Sequence, residues 1–157
     1  MQAITPCLWF NMNAEEAVSF YLDTFSNSRI VATSRYGEGA QVPAGTVLTI
    51  DFELDGLRMQ ALNGGPEFPF SEAVSFTKLV DGQDEVDRLW TAITSNGGEE
   101  SQCGWAKDRF GLSWQIVPKR LVELMSDPDG PKAARVMGAM LRMKKIIIAD
   151  LEAAAAG

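Results

Sequence analysis

One order of elements, strand–helix–strand–strand–strand, reads twice along this chain, and that repetition limits the fold more than any other feature. In the first pass ITPCLWF, Ile4 to Phe10, is a short apolar strand, with Pro6 marking a sheet margin. Asn13 and Glu16 form a capping-box pattern, and Ala17, Phe20, Tyr21, Thr24 and Phe25 recur at helical spacing, which predicts a helix over 14–25. RIVATSRY (29–36) alternates as a strand, and GEGAQVPAG (37–45) is a loop. TVLTIDFEL (46–54) and LRMQAL (57–62) alternate on either side of Asp55-Gly56, a hairpin turn, and NGGPEFPF (63–70) is a linker.

The second pass opens on a strand from Ala73 to Val80. Val86, Leu89, Trp90 and Ile93 predict a helix over 83–95, stopped by Asn96-Gly97-Gly98. Glu99 to Cys103 is a short strand, Trp105 to Arg109 is a strand or an extended turn, and Phe110-Gly111 turns the chain into Leu112 to Pro118. A four-stranded half with one helix leaves a strand edge and a sheet face open, and a second such half can cover them. The expected fold class is therefore α+β: two βαβββ modules, 3–63 and 73–118, forming a curved mixed sheet around a central cup, within one domain spanning 1–157. Cavities at module junctions are where small ligands commonly bind.

After Pro118 the pattern becomes a helical C-terminal extension, 119–157. Leu121 to Met125 is a helical turn, Pro131 suits a first helical position, and Val136, Met137, Met140, Leu141 and Met143 line a helix to about Lys145. The last stretch, IIIADLEAAAAG, adds a final turn or two. The methionine stripe reads as core or subunit contact ahead of an adaptable binding face. With Ile146, Ile147 and Ile148 it supplies apolar surface that a monomer should hide, so a homodimer is expected.

The chain contains no histidine. That removes Ser-His-Asp and Cys-His machinery and the commonest ligand for zinc, iron and nickel. The formal net charge of −7 repels phosphate backbones and anionic lipid, so neither nucleic acid nor membrane is an expected partner. Two cysteines make no disulfide framework, and the start lacks a secretory pattern, so the expected compartment is the cytoplasm.

Three segments, ITPCLWFNMNAEEAVSFY, QCGWAKDRFGLSWQIVP and MLRMKKI with IADLEAA, resemble the vicinal-oxygen-chelate superfamily. Within it the resemblance is to the PhnB-like branch, whose domain is often called 3-demethylubiquinone-9 3-methyltransferase. The resemblance implies paired βαβββ modules and a homodimer. It also implies that metal ligands of the metal-dependent relatives, such as glyoxalases and extradiol dioxygenases, would fall at Pro6, near Ala73, and at Gln60 and Gln115. Proline and alanine cannot ligate, and neutral amides bind divalent cations weakly. The expectation is thus a cup that binds a small molecule with no metal and no cofactor, leaving open whether any reaction follows. The alternatives are a metal-dependent lyase, isomerase or dioxygenase of the glyoxalase type, and a methyltransferase as the domain name implies. For the latter, Gly37-Glu38-Gly39 and Gly64-Gly65 sit in loops and do not open a helix as a nucleotide-binding turn would.

Gln60 and Gln115 would point into the cup, where each amide could orient a polar ligand or else satisfy nearby backbone. If Gln115 faces the cup, alternation brings Ser113 and Val117 with it and turns Trp114 toward a helix. The same logic brings Pro6, Leu8 and Phe10 to the cup and turns Cys7 and Trp9 away, with Cys7 in the core. Trp105 could stack on a planar ligand, and Cys103 before Gly104-Trp105 is either core or a thiol near the cup. Asp108, beside the Phe110-Gly111 turn, could clamp a ligand, although an aspartate there ordinarily bonds turn amides. The candidate binding set is Leu8, Phe10, Gln60, Cys103, Trp105, Asp108, Ser113 and Gln115; no catalytic residue is assigned.

Overall fold

A computed structural model describes residues 3–157; Met1 and Gln2, where the expected span 1–157 begins, lie outside the described residues. The chain divides into two compact units, Met1–Pro69 and Phe70–Gly157.

The first unit holds β1 (Cys7–Phe10), α1 (Ala14–Thr24), β2 (Arg29–Arg35), β3 (Val47–Leu54) and β4 (Leu57–Asn63). Its four strands lie in the order β1-β4-β3-β2, with β1 parallel to β4 and the other pairs antiparallel. Asp55 and Gly56 both take positive φ, 48° and 81°, as the tight turn between two right-twisting strands requires. One face of the sheet is apolar: Leu8, Phe10, Ile50, Phe52, Met59 and Ala61 are buried with Ala14, Ala17, Val18 and Tyr21 of α1. Each large apolar side chain so buried stabilises by about 1.5–3 kcal/mol.

The helix start differs from the capping box expected at Asn13, whose side chain makes no capping bond. The acceptor comes instead from β4: Asn63 Oδ1 receives the Ala14 N–H at 2.9 Å, and its amide donates to Glu15 and to the Val47 carbonyl. Asn63 is fully buried, so a tertiary contact supersedes the local motif while leaving no polar atom unsatisfied.

The second unit repeats the order with β5 (Ser75–Val80), α2 (Gln83–Thr94), β6 (Glu99–Glu100), β7 (Trp105–Lys107) and β8 (Ser113–Pro118), in a sheet β5-β8-β7-β6. Val86, Leu89, Trp90 and Ile93 of α2 are buried on the side of Ala106, Trp114 and Ile116. The strand expected over 99–103 is only two residues long, because Cys103 and Gly104 take positive φ and turn the chain back at once.

The unit closes with α3 (Lys119–Met125), α4 (Gly130–Met140) and α5 (Ile148–Ala156). Leu121, Leu124, Val136, Ile146, Leu151 and Ala155 form their core, and Val117, Met125, Met140 and Met143 pack against it. The helix expected to reach Lys145 stops at Met140, where the chain tightens into i to i+3 bonds from the Arg142 and Met143 N–H groups to the Ala139 and Met140 carbonyls. Met143 O accepts the Cys103 N–H at 2.8 Å and Lys144 O accepts the Gly104 N–H at 2.7 Å. Gly104 has φ +83°, and a Cβ there would stand 2.9 Å from the Ile116 carbonyl oxygen, so no other residue fits this approach. The expectation that Ile146 to Ile148 form exposed apolar surface is corrected: Ile146 is fully buried and its two neighbours are half-buried. No helix among the described residues is long and apolar enough to cross a membrane.

Candidate functional site

The sheet face opposite α1 carries polar side chains in register. Cys7 stands across from Gln60, and Gln60 across from Asp51. The Gln60 side chain is held from two directions. Its Nε2 donates to Asp51 Oδ1 at 2.8 Å, and the Cys7 thiol donates to its Oε1 at 3.6 Å. Burial, and then the negative Asp51, push the Cys7 thiol above its ordinary pKa, which keeps it protonated. Further along the same face Trp9 is paired with Leu62 and Ser34 shares a 2.6 Å hydrogen bond with Thr49. The Trp9 indole is fixed by a bond from Nε1 to the Gly65 carbonyl at 2.9 Å, by the Gly64 backbone against its ring and by Phe68 edge-on at 4.9 Å.

In the second unit the corresponding face carries Ser75 and Thr77 of β5, Trp105 and Lys107 of β7, and Ser113 and Gln115 of β8. Gln115 Nε2 donates to Ser75 Oγ at 2.9 Å. Lys107 pairs with Glu72, an interaction that raises the lysine and lowers the carboxylate from their usual pKa ranges. Glu72, Glu99, Ser101, Trp105, Lys107 and Ser113 border a groove of about 110 Å³.

Trp105, Ser113 and Gln115 share the face of the second sheet, and Gln60 lies on the face of the first. Leu8 and Phe10 do not join Gln60: they are 5% and 2% exposed on the α1 side, and Cys7 and Trp9 occupy the face assigned to them. Alternation counted from Pro6 puts Leu8 and Phe10 on the Gln60 face, and the structure reverses this. The parallel register instead aligns Cys7 with Gln60, and the helix side claims the most apolar pair, Leu8 and Phe10. Cys7 is accordingly exposed, not core.

Asp108 is buried in the turn before β8 and both its oxygens are occupied. Oδ1 accepts the Phe110 and Leu112 N–H groups, and Oδ2 accepts the Trp114 indole at 2.9 Å. Its carboxylate shapes the turn. Cys103 sits half-buried in the β6–β7 turn beside Met143 and Lys144. The counterpart proposed near Ala73 also moves, since Ala73 lies in a turn before β5 and the residue across from Gln115 is Thr77.

Asp51, Cys7 and Lys107 were missed as site residues. Asp51 had a legible signal: a two-residue turn at Asp55-Gly56 sets it directly opposite Gln60.

Two four-stranded mixed sheets, each built as βαβββ, define the vicinal-oxygen-chelate fold. Within that class the chain belongs to the family described as 3-demethylubiquinone-9 3-methyltransferase, whose profile matches residues 2–117. A solved structure described as a PhnB protein from Bacillus cereus is 30% identical, with 74% of this chain and 99% of that chain covered and a TM-score of 0.68. Protein PA1353 from Pseudomonas aeruginosa is 24% identical, with coverage of 75% and 98% and a TM-score of 0.60. The fosfomycin resistance protein FosX from Listeria monocytogenes, in a complex with Mn(II) and sulfate, is 14% identical, with coverage of 75% and 91% and a TM-score of 0.52. No curated protein matches the chain significantly.

A divalent cation would find a poor donor set on the Gln60 face. An ion at Gln60 would meet an amide oxygen already accepting from a thiol, a protonated thiol and one carboxylate. Among the described residues no group of three or more His, Cys, Asp and Glu is placed to hold a metal ion.

Proposed function

We propose that this protein binds a small organic molecule on the open faces of its sheets, without a metal ion. The observation that carries the reading is the tethering of Gln60 by Asp51 and Cys7, which presents a preorganised hydrogen-bonding group on a solvent-accessible face. Gln115, steadied by Ser75, offers the same kind of group on the second sheet. Neither amide suits a divalent cation, and each has hydrogen-bonding capacity left for a polar ligand. Metal analysis of the protein purified without added metal, followed by titration with Mn(II), tests the metal-free part: about one tightly held ion per chain overturns it. NMR of the Gln60 and Gln115 side-chain amides during a small-molecule screen tests the site, and no movement of either signal by any bound compound overturns it.

The family description offers a second reading, methyl transfer. The glycine segments available for a nucleotide-type cofactor argue against it. Gly37 and Gly39 lie in the loop between β2 and β3, and Gly64 packs on Trp9 after β4, so neither segment opens a helix. Calorimetric titration with S-adenosylmethionine separates the two readings, since micromolar binding restores the second.

We also propose that two chains pair, a reading supported by Val122, Met137 and Leu141, which stand 47%, 45% and 59% exposed on and just after α3 and α4. Light scattering that shows a monomer at micromolar concentration overturns this.

A further inference from the structure

Ion pairing on the two sheet faces is uneven. On the first sheet Arg29 makes two hydrogen bonds to Glu53, at 2.8 and 2.9 Å, and on the second Lys107 pairs with Glu72. Asp51 lies on the same face as Glu53, two residues away on β3, yet among the described residues no lysine or arginine pairs with it. Its Oδ1 is taken by Gln60, a neutral partner, and Oδ2 remains available. Asp51 is half-buried on this face, and its one bonded partner is a neutral amide. A cationic ligand can supply the charge-assisted hydrogen bond that a neutral amide does not.

The surroundings define what that partner looks like. Cys7 and Gln60 crowd one side of Asp51, and the thiol, held protonated, does not compete as an anion. Trp9 and Leu62 lie further along the same face and offer an apolar flank, with the indole locked in place by Gly65. A cation that also carries an apolar body satisfies both parts: its ammonium meets Asp51 Oδ2, and its body lies toward Leu62 and Trp9. The net charge of −7 attracts the same sign of ligand.

We propose that the open face of the first sheet selects a small apolar amine, with Asp51 as the residue that determines this preference. The inference rests on the reading that this face binds small molecules. It is tested on the full chain by NMR titration with three probes of one shape: benzylamine, benzyl alcohol and benzoate. Benzylamine is expected to shift the Gln60 amide and Trp9 indole signals, benzyl alcohol to do so about tenfold more weakly, and benzoate not at all. Asp51→Asn, with a spectrum otherwise unchanged, should bring benzylamine down to the level of the alcohol. Equal or tighter binding of the alcohol or benzoate at this face overturns the amine preference while leaving small-molecule binding intact. No shift of these signals by any probe overturns both. The comparison of probes on the unaltered protein stands even if the Asp51 variant folds poorly.

Discussion

Asp108 Oδ2 accepts the Trp114 indole N–H at 2.9 Å inside the second unit, while Oδ1 of the same carboxylate gathers two backbone amides of the following turn. One buried side chain thus closes the turn and anchors the largest residue of β8. Asp108→Ala leaves three donors without acceptors and is expected to cost about 3 kcal/mol or more. Asp108→Asn keeps one carbonyl oxygen and should cost less, about 1–2 kcal/mol. Urea unfolding monitored by tryptophan fluorescence measures both, and an alanine variant as stable as the parent refutes the assignment.

Gln83, at the start of α2, joins two distant parts of its unit. Its Nε2 donates to the Ile146 carbonyl at 3.1 Å and its Oε1 accepts the Ile148 N–H at 2.8 Å, so it caps α5 from a residue 65 positions earlier. Gln83→Ala should cost about 1 kcal/mol. Hydrogen exchange should show the loss as faster exchange at Ile148, with the amides of β3 and β4 unaffected.

The segment between α4 and α5 is also tethered by charge. Lys145 lies 2.7 Å from Asp87, and Lys144 lies 3.5 Å from Glu100, which also accepts the Trp90 indole. Lys145, then Gln83, lowers the pKa of Asp87; the Trp90 indole, then Lys144, lowers that of Glu100. For carboxylates with depressed folded pKa values, the stabilisation is present above the ordinary carboxylate range and is lost as pH falls through the depressed values. Acidification should therefore release this segment, seen as faster exchange of the Cys103 and Gly104 amides once their opening is corrected for intrinsic rates. Unchanged protection down to full protonation would show that backbone bonds alone hold it.

Cys7 gives a chemical readout of Asp51. Because burial and Asp51 both raise the thiol pKa, alkylation by iodoacetamide at pH 7.5, about a unit below a free thiol's pKa, should be slow despite the exposure of the residue. Asp51→Asn removes the smaller of the two causes and should shift the pH–rate profile of Cys7 modestly toward lower pH. Peptide mapping distinguishes Cys7 from Cys103, and a profile that does not move refutes the coupling.

Much of the architecture was legible because local signals and tertiary packing agree. The helical spacing of Ala17, Phe20 and Tyr21, and of Val86, Leu89, Trp90 and Ile93, identifies α1 and α2, and Asp55-Gly56 marks the hairpin. The element order follows. The faces were less legible, since a short strand such as CLWF contains no polar alternation to orient it. Its register on β4, not its own pattern, decides that Cys7 joins Gln60. Asn63 as the cap of α1, and Gln83 as the cap of α5, could not be read locally because each partner lies more than 45 residues away in sequence. The end of α4 is hard to read for a related reason: Met140, Leu141 and Met143 continue the helical pattern, while the chain there instead leaves the helix and runs alongside Cys103 and Gly104, distant in sequence.

The family profile stops at residue 117, whereas Ile146 is fully buried and Val117 packs against the C-terminal cluster. The span that the profile matches and the span that packs together therefore end in different places. A chain cut after Pro118 would keep β1 to β8 and still strip Val117 of the cluster packed against it. The helices beyond the matched span are therefore part of what keeps the second sheet's last strand covered, and a shortened chain would need a new polar residue at Val117 to do without them.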